Sequence, residues 1–140
     1  MKRGASAVWL GGLKDGRGTF STDSGAIRDT PYSFTTRFES APGTNPEELI
    51  AAAEASCFSM AFSSELGKAG LTAERIETRA NLEFQKTDAG WTVTSIHLNV
   101  TAKVPNGGHK EAEAAAEIAR RTCPIGRLLD AKITMDLRLA

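Results

Sequence analysis

From Arg75 to Lys86 the chain alternates, with Ile76, Ala80, Leu82 and Phe84 in one phase and Arg75, Glu77, Arg79, Asn81, Glu83 and Gln85 in the other. A two-residue period marks a strand with one buried and one wet face. Thr87-Asp88-Ala89-Gly90 supplies turn residues, and a second alternation follows. It starts with Trp91 and Val93 but continues with Ile96, Leu98, Val100, Ala102 and Val104 in the opposite phase. One extra residue near Thr94-Ser95, a β-bulge, accounts for the change. The centre of the chain is therefore a long antiparallel hairpin.

Helices are expected on either side of it. Thr44-Asn45-Pro46-Glu47-Glu48-Leu49 combines an N-cap candidate, a first-turn proline and acids at the positive end of the helix dipole. Leu49, Ile50, Ala53, Cys57, Met60, Ala61 and Ser64 then follow helical spacing, which predicts a buried stripe ending near Gly67 or Gly70. After the break at Pro105-Asn106-Gly107-Gly108, Lys110 to Arg121 is rich in Ala and Glu with basic residues at its end, and reads as a second helix. Cys123-Pro124-Ile125 restarts a short one through Leu129, and Ile133, Met135, Leu137 and Leu139 alternate as a last strand. Nearer the N-terminus, Ala7 to Leu10, Gly18 to Thr22 and Tyr32 to Glu39 read as strands, the last with Tyr32, Phe34, Thr36 and Phe38 on one face and Arg37 on the polar one. The fold class is α+β, with antiparallel strands and one central apolar helix carrying Cys57.

At 140 residues with an apolar share of 41%, the chain is expected to form one domain, residues 1–140. Basic and acidic residues number 17 each, so no net field draws a polyanion, and nucleic acid is not an expected partner. The run after Met1-Lys2-Arg3 is broken by Gly4, Ser6 and Gly11-Gly12, unlike an export signal. The longest apolar stretch, Leu49 to Phe62, includes Glu54 and several serines and is too short to cross a bilayer. A soluble, cytoplasmic protein is the expectation.

Two cysteines in a reducing compartment call for a role other than a structural bridge. Cys57, on the apolar face of a helix, reads by itself as a small buried hydrophobe. Cys123 precedes a proline suited to a first helical position, so helix N–H groups and the macrodipole would favour its thiolate. Local physics thus nominates Cys123 as the more acidic thiol. Neither cysteine has a Cys or His at zinc-finger spacing, so no metal and no cofactor are expected. His97, in a strand, and His109, beside a glycine turn, read as structural or surface residues. The thiols stand 66 positions apart with no Cys-x-x-Cys motif, which argues against thioredoxin-like exchange.

Taken together, Pro31-Tyr32-Ser33-Phe34-Thr35-Thr36-Arg37-Phe38-Glu39, Gly43-Thr44-Asn45-Pro46-Glu47-Glu48-Leu49-Ile50, Ala55-Ser56-Cys57-Phe58-Ser59-Met60 and Cys123-Pro124-Ile125 resemble the OsmC (osmotically inducible protein C) family over essentially the whole chain. The resemblance implies an intertwined homodimer and a thiol-dependent peroxidase serving stress defence. It would reduce organic hydroperoxides in preference to hydrogen peroxide and be re-reduced by a dithiol such as one on a lipoylated protein. By motif, Cys57 is then the peroxidatic thiol and Cys123 the resolving thiol. Glu47 is the active-site carboxylate and Arg37 its partner. The related organic hydroperoxide resistance branch carries an arginine in the first turn, as Gly-Gly-Arg-Asp-Gly. Here that turn reads Gly11-Gly12-Leu13-Lys14-Asp15-Gly16-Arg17, which favours the OsmC branch.

Read without the resemblance, Arg37 and Glu39 are an exposed strand pair and Glu47 merely complements a helix dipole. A general disulfide reductase and a non-catalytic small-ligand binding dimer are the alternative functions. Glu47 and Cys57 lie ten residues apart, about 15 Å of helical rise. If both serve one site, either the helix breaks between them or Glu47 serves the Cys57 of a second subunit.

Overall fold

The computed structural model describes residues 1–105 and 107–140, and resolves into two units, Met1–Leu49 and Ile50–Ala140. Of the break expected at 105–108, Asn106 lies outside the described residues.

In the first unit, β1 (Ala5–Leu10), β2 (Arg17–Thr22) and β3 (Thr30–Tyr32) form an antiparallel sheet in that order. Trp9 pairs with Gly18, which pairs in turn with Tyr32, and the two rings approach to 5.4 Å between centroids. A Cβ at Gly18 would collide with both rings, so the missing side chain is what lets them close over the strand.

The expected strand from Tyr32 to Glu39 is not formed. Only its first residue belongs to β3, and Phe34–Phe38 is a short helix, α1. The Ser33 hydroxyl accepts from the Thr36 N–H, and the Thr36 hydroxyl accepts from the Ser33 N–H at 3.0 Å, a complete capping box. The alternation of Phe34, Thr36 and Phe38 also contains an i,i+4 pair, and the Phe34 and Phe38 rings meet at 4.9 Å. The aromatic spacing suits either structure, and the cap decides it.

Helix α2 runs from Pro46 to Lys68 as one element. The Asn45 side-chain oxygen accepts from the Glu48 N–H at 2.8 Å while its amide donates to the Thr36 carbonyl at 3.0 Å, tying the helix start to α1. The expected buried stripe is out of phase. Within the second unit Glu54, Phe58, Phe62 and Leu66 are buried at four-residue intervals, whereas Met60 is 77% exposed and Ser64 is exposed.

The remaining elements of that unit are β4 (Arg75–Thr87), β5 (Gly90–Lys103), α3 (His109–Thr122), α4 (Pro124–Leu128) and β6 (Lys132–Leu139), with strand order β4-β5-β6. The hairpin has its expected turn and bulge. Glu83 pairs with Ser95 but Phe84 with Val93, leaving Thr94 as the extra residue. One pairing differs from the expected antiparallel sheet, since β6 runs parallel to β5. A parallel pair needs a crossover, and α3 and α4 provide it. Phe58, Phe62 and Leu66 share one buried cluster with Ile96, Leu98, Val100 and Ala102 of β5 and Ala112, Ala115, Ala116 and Ala119 of α3. Each large side chain in it contributes about 1.5–3 kcal/mol of transfer free energy. Among the described residues, no helix is long and apolar enough to cross a membrane.

Candidate active site

Each unit contributes one cluster. In the first, Arg37 sits in the last turn of α1 rather than on the polar face of a strand. Its Nε donates to Glu47 Oε1 at 3.0 Å and Oε2 at 3.3 Å, and its Nη2 donates to Oε1 at 2.7 Å. This planar fork onto a carboxylate fixes orientation as well as charge. Glu47 is buried, although it occupies the first turn of α2, and Arg37 is partly exposed. The Arg37 guanidinium carbon also lies 5.2 Å from the Phe38 ring centroid. The pair therefore presents a held, partly accessible cation suited to an anionic or peroxidic oxygen.

The second cluster gathers both thiols. Cys57 is half-buried on α2, and Cys123 is fully buried where α3 ends and α4 begins; both are unbridged. Cys123 continues the inward stripe Ala112, Ala115, Ala116, Ala119 of α3, and Pro124 keeps it out of the helical region at the junction, with ψ at 123°. Cys57 lies near enough to act on its thiol. The helix-dipole reading of Cys123 is overturned. Its thiol is pushed up to about 12, chiefly by burial and then by neighbouring Cys57; the Gly126 and Ile125 N–H groups pull the other way and the charge of Glu54 adds to the rise. The expected helix N–H effect is present and loses to desolvation.

Glu54 was noticeable in the sequence only as a charge interrupting an apolar run. It is fully buried, and its Oε2 accepts from Cys123 Sγ at 3.7 Å. Burial pushes the carboxyl up, opposed by the bond from Cys123. Its Oε1 is buried with no hydrogen-bond partner among the described residues. The missed signal was phase: Glu54 lies four residues before Phe58, on the stripe that Phe62 and Leu66 continue. Of the two histidines, His97 bridges from β5 to Thr134 (2.7 Å) and Asp136 (3.2 Å) of β6, and His109 opens α3.

The chain thus carries two unbridged thiols, one on a helix and one on a crossover, in an α+β frame. A family profile described as OsmC-like protein matches residues 39–138, and the chain belongs to that family. Peroxiredoxin OsmC of Escherichia coli strain K12 is 46% identical over 133 residues, covering 95% of this chain and 93% of that protein. Organic hydroperoxide resistance protein-like 1 of Staphylococcus saprophyticus is 30% identical over 88% of this chain and 86% of that protein. The difference runs in the direction that the first turn indicates. An OsmC-like protein of unknown function from Vibrio cholerae shares the fold with a TM-score of 0.78 at 19% identity, over 98% of this chain and 99% of that one. OhrB of Bacillus subtilis does so with a TM-score of 0.69 at 20% identity, over 98% of each chain. The chain is a peroxidase-type enzyme.

Proposed function

We propose that the protein is a cytoplasmic thiol-dependent peroxidase of stress defence that reduces organic hydroperoxides, and hydrogen peroxide less well, to alcohols and water. The observation that carries this reading is the proximity of Cys57 to Cys123, residues 66 positions apart that the fold brings near enough for one thiol to act on the other. The Cys57 thiolate attacks one peroxide oxygen, the O–O bond breaks, and the electron pair leaves on the alkoxide, which takes up a proton. Cys57 becomes a sulfenic acid. Cys123 then displaces hydroxide from it to give the disulfide, protecting Cys57 from further oxidation. A dithiol, such as one on a lipoylated protein, reduces that disulfide.

Arg37 in this scheme holds the peroxide oxygens and stabilises the thiolate and leaving alkoxide, with Glu47 fixing its guanidinium. Helix α2 runs unbroken from Pro46 to Lys68, which supports the second of the two alternatives, Glu47 serving the Cys57 of another copy. The Arg37–Glu47 pair of one chain is accordingly assigned to Cys57 of a second copy, in a homodimer.

A turnover comparison of cumene, fatty-acid and hydrogen peroxides with lipoyl and thioredoxin-type donors tests substrate and donor together. Cys57→Ser is expected to abolish turnover. Full hydroperoxide consumption by that variant would end the peroxidase reading.

A further inference from the structure

The resolving thiol presents a chemical difficulty. To displace hydroxide from a sulfenic acid, Cys123 has to lose its proton, and the departing hydroxide has to gain one. Yet Cys123 is fully buried, so solvent cannot serve as the base. Among the described residues, the ionisable groups that act on it are Cys57, its own redox partner, and Glu54.

Glu54 has the placement for both transfers. Its Oε2 already accepts the hydrogen bond from Cys123 Sγ at 3.7 Å. It stands three residues before Cys57 on α2, a spacing that puts two side chains side by side on a helix surface. Its second oxygen, Oε1, is buried and has no partner among the described residues. An unused acceptor in a buried site is unfavourable and calls for a reason. Gly126 closes over it: a Cβ there would lie 3.1 Å from Oε1 and 3.0 Å from Ile133 Cδ1. The carboxyl thus has one oxygen engaged with the attacking thiol and one free for a transient group.

We propose that Glu54 is the general base and acid of the resolving step, its carboxylate taking the proton of Cys123 and delivering that same proton to the hydroxide leaving Cys57. The Cys123 sulfur forms a bond to the Cys57 sulfur, the S–O bond of the sulfenic acid breaks, and its electron pair departs on oxygen. The proton released by Cys123 balances the one gained by hydroxide, so Cys123-SH and Cys57-SOH give the disulfide and water, with the carboxylate regenerated. Burial makes the carboxylate a stronger base, which narrows the gap to a raised thiol.

The inference rests on the Cys57–Cys123 chemistry proposed above, and the test separates the two. The reduced protein is given one equivalent of cumene hydroperoxide, and disulfide and sulfenic acid are followed by rapid quench, dimedone trapping and mass spectrometry. If the wild type forms no Cys57–Cys123 disulfide, the function reading fails first. If it does, Glu54→Gln is expected to slow the sulfenic-to-disulfide step about a hundredfold or more, with sulfenic acid accumulating. The pH profile marks the role as proton transfer. The wild-type step levels off with pH, the Glu54→Gln step climbs about tenfold per pH unit, and Glu54→Asp restores the level profile at an intermediate rate. Disulfide formation by Glu54→Gln at the wild-type rate and profile would overturn the proposal. So would a wild-type step that climbs with hydroxide across the whole range, a result that needs no variant to fold.

Discussion

Arg37 and Glu47 meet edge to edge, with Nε and Nη2 of the guanidinium both donating to Glu47 Oε1, at 3.0 and 2.7 Å. The arrangement depends on a planar donor, which lysine cannot supply. Arg37→Lys, although it keeps the charge, is expected to lower kcat/KM for organic hydroperoxide about a hundredfold. Because the arginine is partly exposed, stability should change by no more than about 1 kcal/mol. Steady-state kinetics and thermal melts on the same samples check both halves.

The helix that carries Arg37 depends on its cap. Ser33→Ala removes the acceptor for the Thr36 N–H and half of the box, with an expected destabilisation of about 1 kcal/mol. If α1 is what aims the guanidinium, KM for peroxide rises alongside. Ser33→Asp, which can still cap, should restore both.

Phe62 is fully buried between Phe58 and Leu66 along α2, its ring 5.8 Å from that of Phe58. Phe62→Ala is expected to lose about 3–5 kcal/mol, read by urea denaturation. Met60→Ala, one residue-phase away and exposed, should leave the isolated chain within about 0.5 kcal/mol of wild type.

Proton linkage makes a separate prediction. Glu54 holds its proton more tightly folded than unfolded, so its contribution is complete below the ordinary carboxylate range of about 4. As pH rises from there through the folded value, the folded state binds more protons than the unfolded one and stability falls. Cys123 repeats this at higher pH, with stability falling between about 8.5, the free thiol value, and its folded value. That folded value is about 12. Melting temperature should therefore decline in two stages. Glu54→Gln is expected to abolish the first, and at neutral pH to melt above wild type; Cys123→Ser should abolish the second. The same Gln substitution that slows resolution thus strengthens the fold.

The long hairpin and its bulge were legible because strand alternation reports phase residue by residue, and a slip of one shows as an abrupt change at Thr94. The start of α2 was legible because Asn45, Pro46, Glu47 and Glu48 each contribute a local signal. What escaped was decided by competition. Tyr32 to Glu39 carries an alternation compatible with a strand, and the Ser33–Thr36 box outweighs it. Along α2, small residues occupy several faces, so Cys57 and Met60 fitted a stripe as well as Phe58 and Phe62 did. Cys123 has a real helix N-terminus beside it, but only the inward stripe of α3 reveals the burial that overrides it. The site residues came from motif resemblance; Glu54, outside those motifs as a chemical group, came from the structure alone.

The parallel union of β5 and β6 has a consequence for the order of assembly. Neighbouring strands of the hairpin can zip from a turn, whereas β6 reaches β5 only after a segment holding two helices has closed, a slower and entropically steeper event. Cys123 travels on that segment. While closure is pending, a nascent Cys57 sulfenic acid has no thiol at hand to capture it, and further oxidant drives it to the irreversible sulfinic acid. Refolding in peroxide should yield sulfinic Cys57, and adding the same peroxide after refolding should yield disulfide; equal yields by mass spectrometry would remove the timing constraint.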